Sequence, residues 1–234
     1  MRVILIGCEY AGKTTLAAEI TRWWSEHAGS PMGWHDHFER PFREGSGPAV
    51  EAEAEQVMAM VPVLLEKYAR YMIQYHFTDA FYRDNHHMLV NWYYSDAVYA
   101  PLYYGYGGVD AYADRQGMAR RHDADVNAIA PDTVLVLLKA TPEIIRQRQR
   151  DNPHDRCILQ DEDVEFVLQR FEEEYKRSGL RRFFELDTTE AGVEETLREF
   201  WVGMEPHLTD TDRQALLLHG QLARALAPVD QQGD

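Results

Sequence analysis

Residues 7–14 carry the densest chemistry in the sequence: Gly7-Cys8-Glu9-Tyr10-Ala11-Gly12-Lys13-Thr14. The spacing G-x-x-x-x-G-K-[ST] is complete and is that of a loop built to hold phosphate. Two glycines free the backbone to turn its N–H groups inward around an anion. With them, Tyr10, Ala11 and Lys13 complete the cradle. The Lys13 ammonium is placed for the β- and γ-phosphates, and the Thr14 hydroxyl is a hard oxygen donor suited to Mg²⁺. Thr15 follows, either as a contact to an α-phosphate or as an ordinary helix residue.

Such a loop works only between a buried strand and a helix, and the flanks supply both. Val3-Ile4-Leu5-Ile6 is a short apolar run of the kind buried on both faces of a parallel sheet. Lys13 to His27 places Leu16, Ile20, Trp23 and Trp24 on one helical side, and Gly29-Ser30-Pro31 stops it. Further along, strands are expected at 34–38, 88–93, 133–138 and 183–186. Helices are expected at 51–75 (bent at Pro62), 95–104, 118–130, 161–178, 193–202 and 210–227, with another starting at Thr141-Pro142-Glu143. Pro41 to Pro48 reads as a loop, Gly105 to Gly108 as a turn, and Asp230 to Asp234 as a frayed end. Alternating strands and helices predict an α/β three-layer sandwich: five mostly parallel strands covered on both faces, in one domain spanning 1–234. Residues 203–234 would form a C-terminal helical extension. Ligands in such folds bind beyond the carboxyl ends of the strands.

Composition narrows the function. The 234 residues carry a formal charge of −15, which repels a polynucleotide but admits a small phosphorylated ligand held by local arginines and amides. Two cysteines do not make a disulfide framework, and no apolar run of 18 residues is present, so a cytoplasmic protein with no membrane partner is expected. Neither the N-K-x-D element nor the D-x-x-G following a strand that a GTPase needs is found. No apolar strand ends in the acidic pair of a motor ATPase.

Among phosphate-loop proteins, the layout over roughly residues 1–200 resembles the thymidylate kinases and deoxynucleoside kinases. Pro131 to Leu137 followed by Thr141-Pro142-Glu143 looks like that family's fourth strand and lid-helix start. Arg146-x-Arg148-x-Arg150 and Asp155-Arg156 resemble its arginine-bearing lid, placed at 142–157. Residues 165–175 resemble the helix after the lid, and Leu186-Asp187-Thr188 the loop against the adenine ring. The resemblance implies ATP with Mg²⁺ as donor, a nucleotide, nucleoside or related hydroxylated small molecule as acceptor, and leaves a homodimer open. On a helix, Arg146 and Arg150 share a face, so with Arg156 they are the expected charge-neutralising set; a solvated basic face is the alternative.

The chain departs from the family at the end of the third strand. Thymidylate kinases carry Asp-Arg there and deoxynucleoside kinases Glu-Arg, whereas this chain has Asn91-Trp92. A carboxylate must then come from Asp36, in Trp34-His35-Asp36-His37-Phe38, or from Asp96; Asp36 is the first choice because the second strand should end beside the loop. His35 and His37 should point away from the Asp36 side chain, against a metal site. Tyr93, Tyr94, Tyr99, Tyr103, Tyr104 and Tyr106 form either a substrate wall or core. Two other functions stay open: phosphorylation of a modified base in DNA, and a non-catalytic nucleotide-binding regulatory module, which Asn91-Trp92 favours.

Overall fold

The computed structural model describes residues 1–36, 48–82, 86–153 and 157–226. His37 and Phe38, the loop from 41 to 47, Asp155, Arg156 and the expected frayed end lie outside them. Strand β1 (Arg2–Ile6) runs into the loop, and helix α1 (Lys13–Ala28) starts after Gly12 and stops at Gly29, both left-handed. Leu16, Ala17, Ile20 and Trp24 bury its apolar face. Strand β2 (Gly33–Asp36) follows.

The single bent helix expected over 51–75 is two helices, α2 (Pro48–Met58) and α3 (Pro62–Gln74). Pro62 has no N–H and its ring crowds the carbonyl four residues back, so it starts a new helix rather than bending an old one. A short α4 (Asp79–Tyr82), not anticipated, leads to β3 (His87–Val90). This strand ends three residues before expectation. Asn91 (φ 67°) and Trp92 (φ 45°) turn the chain sharply, and α5 (Trp92–Tyr99) takes the aromatic run that the sequence placed partly in the strand. Pro101 lacks a donor, and α5 widens into a π-helical turn over Ala100–Tyr104.

Helix α6 (Arg115–Ile129) starts earlier than expected because Asp114 caps it, accepting from the N–H groups of Gln116 and Gly117 at 3.0 Å each. Then come β4 (Val134–Lys139), α7 (Pro142–Asp151), a 3₁₀ turn at Asp161–Asp163, α8 (Val164–Arg177), β5 (Arg182–Asp187), α9 (Val193–Met204) and α10 (Asp210–Leu226).

The sheet order is β2-β3-β1-β4-β5, and all four pairings are parallel. Strands β1 and β4 are buried almost completely, as their unbroken apolar runs require. Helices α1, α5, α8 and α9 pack around the sheet, and α10 lies on α1. The buried N-terminal ammonium fixes α10 by pairing with Asp212. No described helix is long and apolar enough to cross a membrane.

Candidate active site

The chain reverses at the carboxyl ends of β1, β3 and β2, where the candidate residues gather. Register sets the distances: Leu5 pairs with Val90, and Val90 pairs with Asp36. Within the loop, Gly7 has φ 150° and a Cβ there would lie 2.5 Å from the Leu138 carbonyl oxygen. Gly7 is therefore required by close approach, and Gly12 by its left-handed φ of 91°. Tyr10 is also left-handed, at φ 62°, a conformation that costs a side-chain-bearing residue roughly 1–2 kcal/mol unless its surroundings hold it.

Lys13 is buried, and its Nζ donates to the Cys8 carbonyl at 2.6 Å, which folds it along the loop. Burial lowers its pKa, while Asp36, Cys8 and Glu9 pull the other way. Thr14 and Thr15 open α1 on its exposed side. The Thr14 hydroxyl donates to Asp36 Oδ2 at 3.1 Å. The structure thus sets a carboxylate from β2 directly on the phosphate loop. The Thr14 hydroxyl is an oxygen donor of the kind Mg²⁺ takes together with phosphate oxygens. Asp36 lies on the opposite side of β2 from His35, whose ring nitrogen is 3.1 Å from His76. Among the described residues no cluster of three or more metal-ligating side chains occurs.

Asp96 sits in a different environment. It is 3% exposed, its carboxylate is 2.7 Å from Arg115 Nε, and it accepts from the Tyr106 hydroxyl at 3.0 Å. Arg115 also meets Glu66 at 3.0 Å, and Arg70 and Tyr112 complete the cluster on Glu66. The ion pairs join α3, α5 and α6 in the core. The tyrosines divide similarly. Tyr93 and Tyr94 are buried and donate to Asp123 at 2.8 and 2.6 Å. Burial raises both phenols, together with Tyr99. Tyr99 accepts from the Glu9 N–H at 3.2 Å, and Tyr103 donates to Asp163 at 2.9 Å. These contacts make Tyr93, Tyr94 and Tyr99 core struts and tie half-buried Tyr103 to the turn before α8.

The arginines expected of a lid arrange themselves differently from the sequence expectation. Arg146 turns to the start of α8, donating to Glu165 at 2.7 and 2.8 Å and to Asp161 at 3.1 Å. Arg150 is exposed, and Arg156 is outside the described residues. Among the described residues Arg148, left out of the expected set, reaches the phosphate loop. It donates to the Tyr10 carbonyl and to the Thr188 hydroxyl, each at 3.1 Å. The alternation of three arginines sorts them into two faces, but only packing decides which face turns inward. Thr188, after β5, is buried with its hydroxyl 3.1 Å from the carbonyls of Ala11 and Lys139. Glu9 is a second contact that sequence reasoning passed over. Its carboxyl accepts from the Leu159 N–H at 2.8 Å and is pushed up to about 7 by burial. An acid inside a phosphate loop was the available signal. At the strand end, Asn91 is 2% exposed with its Oδ1 lacking a hydrogen-bond partner among the described residues.

No family model matches the chain, and no curated protein matches its sequence. Solved structures do match in fold. The YorR protein of Bacillus subtilis, solved in complex with phosphorylated GDP, superposes with a TM-score of 0.56 at 19% identity, covering 89% of this chain and 99% of its own. Deoxyadenosine kinase from M. mycoides with bound dATP gives 0.54 at 18% identity, covering 88% of this chain and 100% of its own. The same kinase with bound dCTP gives 0.55 at 17%. The chain therefore has the α/β fold of a P-loop kinase, with a five-stranded parallel sheet. These matches single out no thymidylate kinase.

Proposed function

We propose that the chain is an ATP- and Mg²⁺-dependent phosphotransferase whose acceptor is a nucleotide, nucleoside or related hydroxylated small molecule. The observation that carries this is the Thr14–Asp36 contact on a complete phosphate loop. A binding loop alone holds a nucleotide; a carboxylate brought to its rim from a separate strand adds a group able to take or orient a hydroxyl proton. The shared fold with deoxyadenosine kinase supports the acceptor class.

In this mechanism the loop N–H groups and Lys13 hold the β- and γ-phosphates of the donor, and the α1 dipole adds partial positive charge. Thr14 would hold Mg²⁺, which would neutralise the donor's phosphate charge. Asp36 aligns the acceptor hydroxyl and receives its proton, replacing the carboxylate that Asn91 lacks. Arg150 and Arg156 are the proposed charge-neutralising arginines, while Arg146 braces α7 against α8. The acceptor screen is direct: Mg-ATP with pooled nucleosides and nucleotides should yield acceptor-dependent ADP. ADP at the same rate with and without every pool would remove this function.

Asn91 favours one second function, a regulatory module that binds a nucleotide and transfers nothing. Its buried Oδ1, without a hydrogen-bond partner among the described residues, stands where the kinase families the chain resembles carry an acid. Tight Mg-ATP binding with no turnover on any pool would select it.

A further inference from the structure

We propose that His35 and His76 are positioning residues that hold the carboxyl end of β2 so that Asp36 stays on the phosphate loop. The inference rests on the phosphoryl-transfer function proposed above and deepens it, since both histidines act through Asp36 rather than on the reacting atoms. Strand β2 is four residues long and lies at the edge of the sheet, with β3 as its neighbour. The ladder sets its distance from β3 and leaves the roll of its last residues about the strand axis to their side chains. Successive side chains leave a strand on opposite faces. At the end of β2 each face is caught by a contact. On one, His35 Nδ1 lies 3.1 Å from His76 Nε2; on the other, Asp36 Oδ2 accepts from the Thr14 hydroxyl at 3.1 Å. A roll that parts the two imidazoles therefore swings the Asp36 carboxylate as well.

His76 is a firm post for this purpose. It follows α3 and is 1% exposed, and its ring meets Tyr75, Phe81 and Trp92 edge-on, with centroids 5.3, 4.7 and 6.2 Å away. The same helix end receives the Trp92 indole N–H, which donates to the Ile73 carbonyl at 3.2 Å. Trp92 belongs to the positive-φ turn that ends β3. The end of α3 thus holds the carboxyl ends of both β2 and β3, the strand ends beside the loop. A hydrogen bond between two imidazoles needs a lone pair on one of them. Burial first, and the neighbouring His35 ring second, push His76 down to about 4, so at neutral pH the buried ring is uncharged and the pair can share a hydrogen. Two apolar rings would fill the same space; the hydrogen bond adds a fixed direction to the packing.

Kinetics and crystallography of the full chain test this. His35→Leu and His76→Leu remove the hydrogen bond and keep an apolar side chain in place. Each should lower kcat roughly ten- to a hundredfold, the scale of an ångström of misplacement, with Mg-ATP affinity near the parent's. His35→Asn keeps a donor close to the Nδ1 position and His76→Gln an acceptor close to the Nε2 position, and each should restore most of the rate. If His76→Leu does not fold, half-buried His35 carries the test. Asp36→Asn supplies the discriminating background: there His35→Leu should cost nothing further, because it acts through the same carboxylate. A merely structural role would cost the same factor in both backgrounds, and that result overturns the inference. Crystals of His35→Leu should show the Asp36 carboxylate beyond hydrogen-bond distance of Thr14; a carboxylate still on Thr14 overturns it equally. A parent that turns over no acceptor sinks the proposed function, and the crystal structures then decide the anchoring of Asp36 by themselves.

Discussion

Substituting the two candidate acids separates a group that does chemistry from one that holds the core. Asp36 is half-buried at the loop rim and accepts a hydroxyl hydrogen bond from Thr14. Asp36→Asn keeps the shape and an acceptor oxygen, so stability should move by no more than about 1 kcal/mol. Turnover should fall by roughly 10²–10⁴, the range for a lost general base. ATP affinity should stay near the parent's, since the loss belongs to the acceptor side and the transition state. Asp96→Asn should do the reverse. It strips the charge that faces Arg115 across 2.7 Å in a site 3% exposed. Breaking a buried pair costs ~3–5 kcal/mol, and Glu66 stays 3.0 Å from Arg115, so the low end applies: about 3 kcal/mol. For a chain of this length that lowers the melting temperature by ~6–12 °C. Urea titration followed by the fluorescence of the five tryptophans reads the stability term, and ADP release with the identified acceptor reads the chemical one. Asp36→Asn turning over at the parental rate would refute Asp36 as the base. An Asp96→Asn protein as stable as the parent, yet inactive, would refute the division of roles.

Lys13→Ala should leave a folded chain whose turnover is lower by roughly a hundredfold or more, the scale of one lost preorganised contact; unchanged steady-state kinetics would end the phosphate-loop mechanism. Burial holds Glu9 up at about 7, so between the ordinary carboxylate range and pH 7 the folded chain keeps a proton that the unfolded chain has released. Stability should therefore fall as pH rises through that window, by on the order of 1–3 kcal/mol, and Glu9→Gln should flatten the decline in urea midpoints. Asn91→Gly removes both a positive-φ side chain and an unpartnered buried oxygen, and should raise stability by ~1 kcal/mol or more in calorimetry; a lower melting temperature would show that the turn is not strained.

The phosphate loop, the strands β1 and β4 and the alternating order of elements were legible from local residues alone. Each depends on neighbours in sequence: a glycine spacing, an unbroken apolar run, a helix stop at Gly29. That Asp36 ends β2 near the loop followed from the rule that ligands meet the carboxyl ends of strands, and its carboxylate accepts from Thr14. The break at Pro62 and the early end of β3 were misjudged because proline tolerates both a bend and a start, and aromatic residues suit both strand and helix. Three things were decided only by tertiary structure. Asp96 became a core partner because Arg115, 19 positions on, folds onto it. Arg148 rather than Arg146 met the loop because the packing of α7 against α8 chose which of two equivalent helix faces turned inward. Glu9 found Leu159, 150 residues away, because the loop and the segment after the lid meet there. A sequence specifies periodicity and local conformation, which are short-range. Which charged side chains end up facing one another depends on the docking of whole elements, and that is settled by the burial of apolar faces common to many registers.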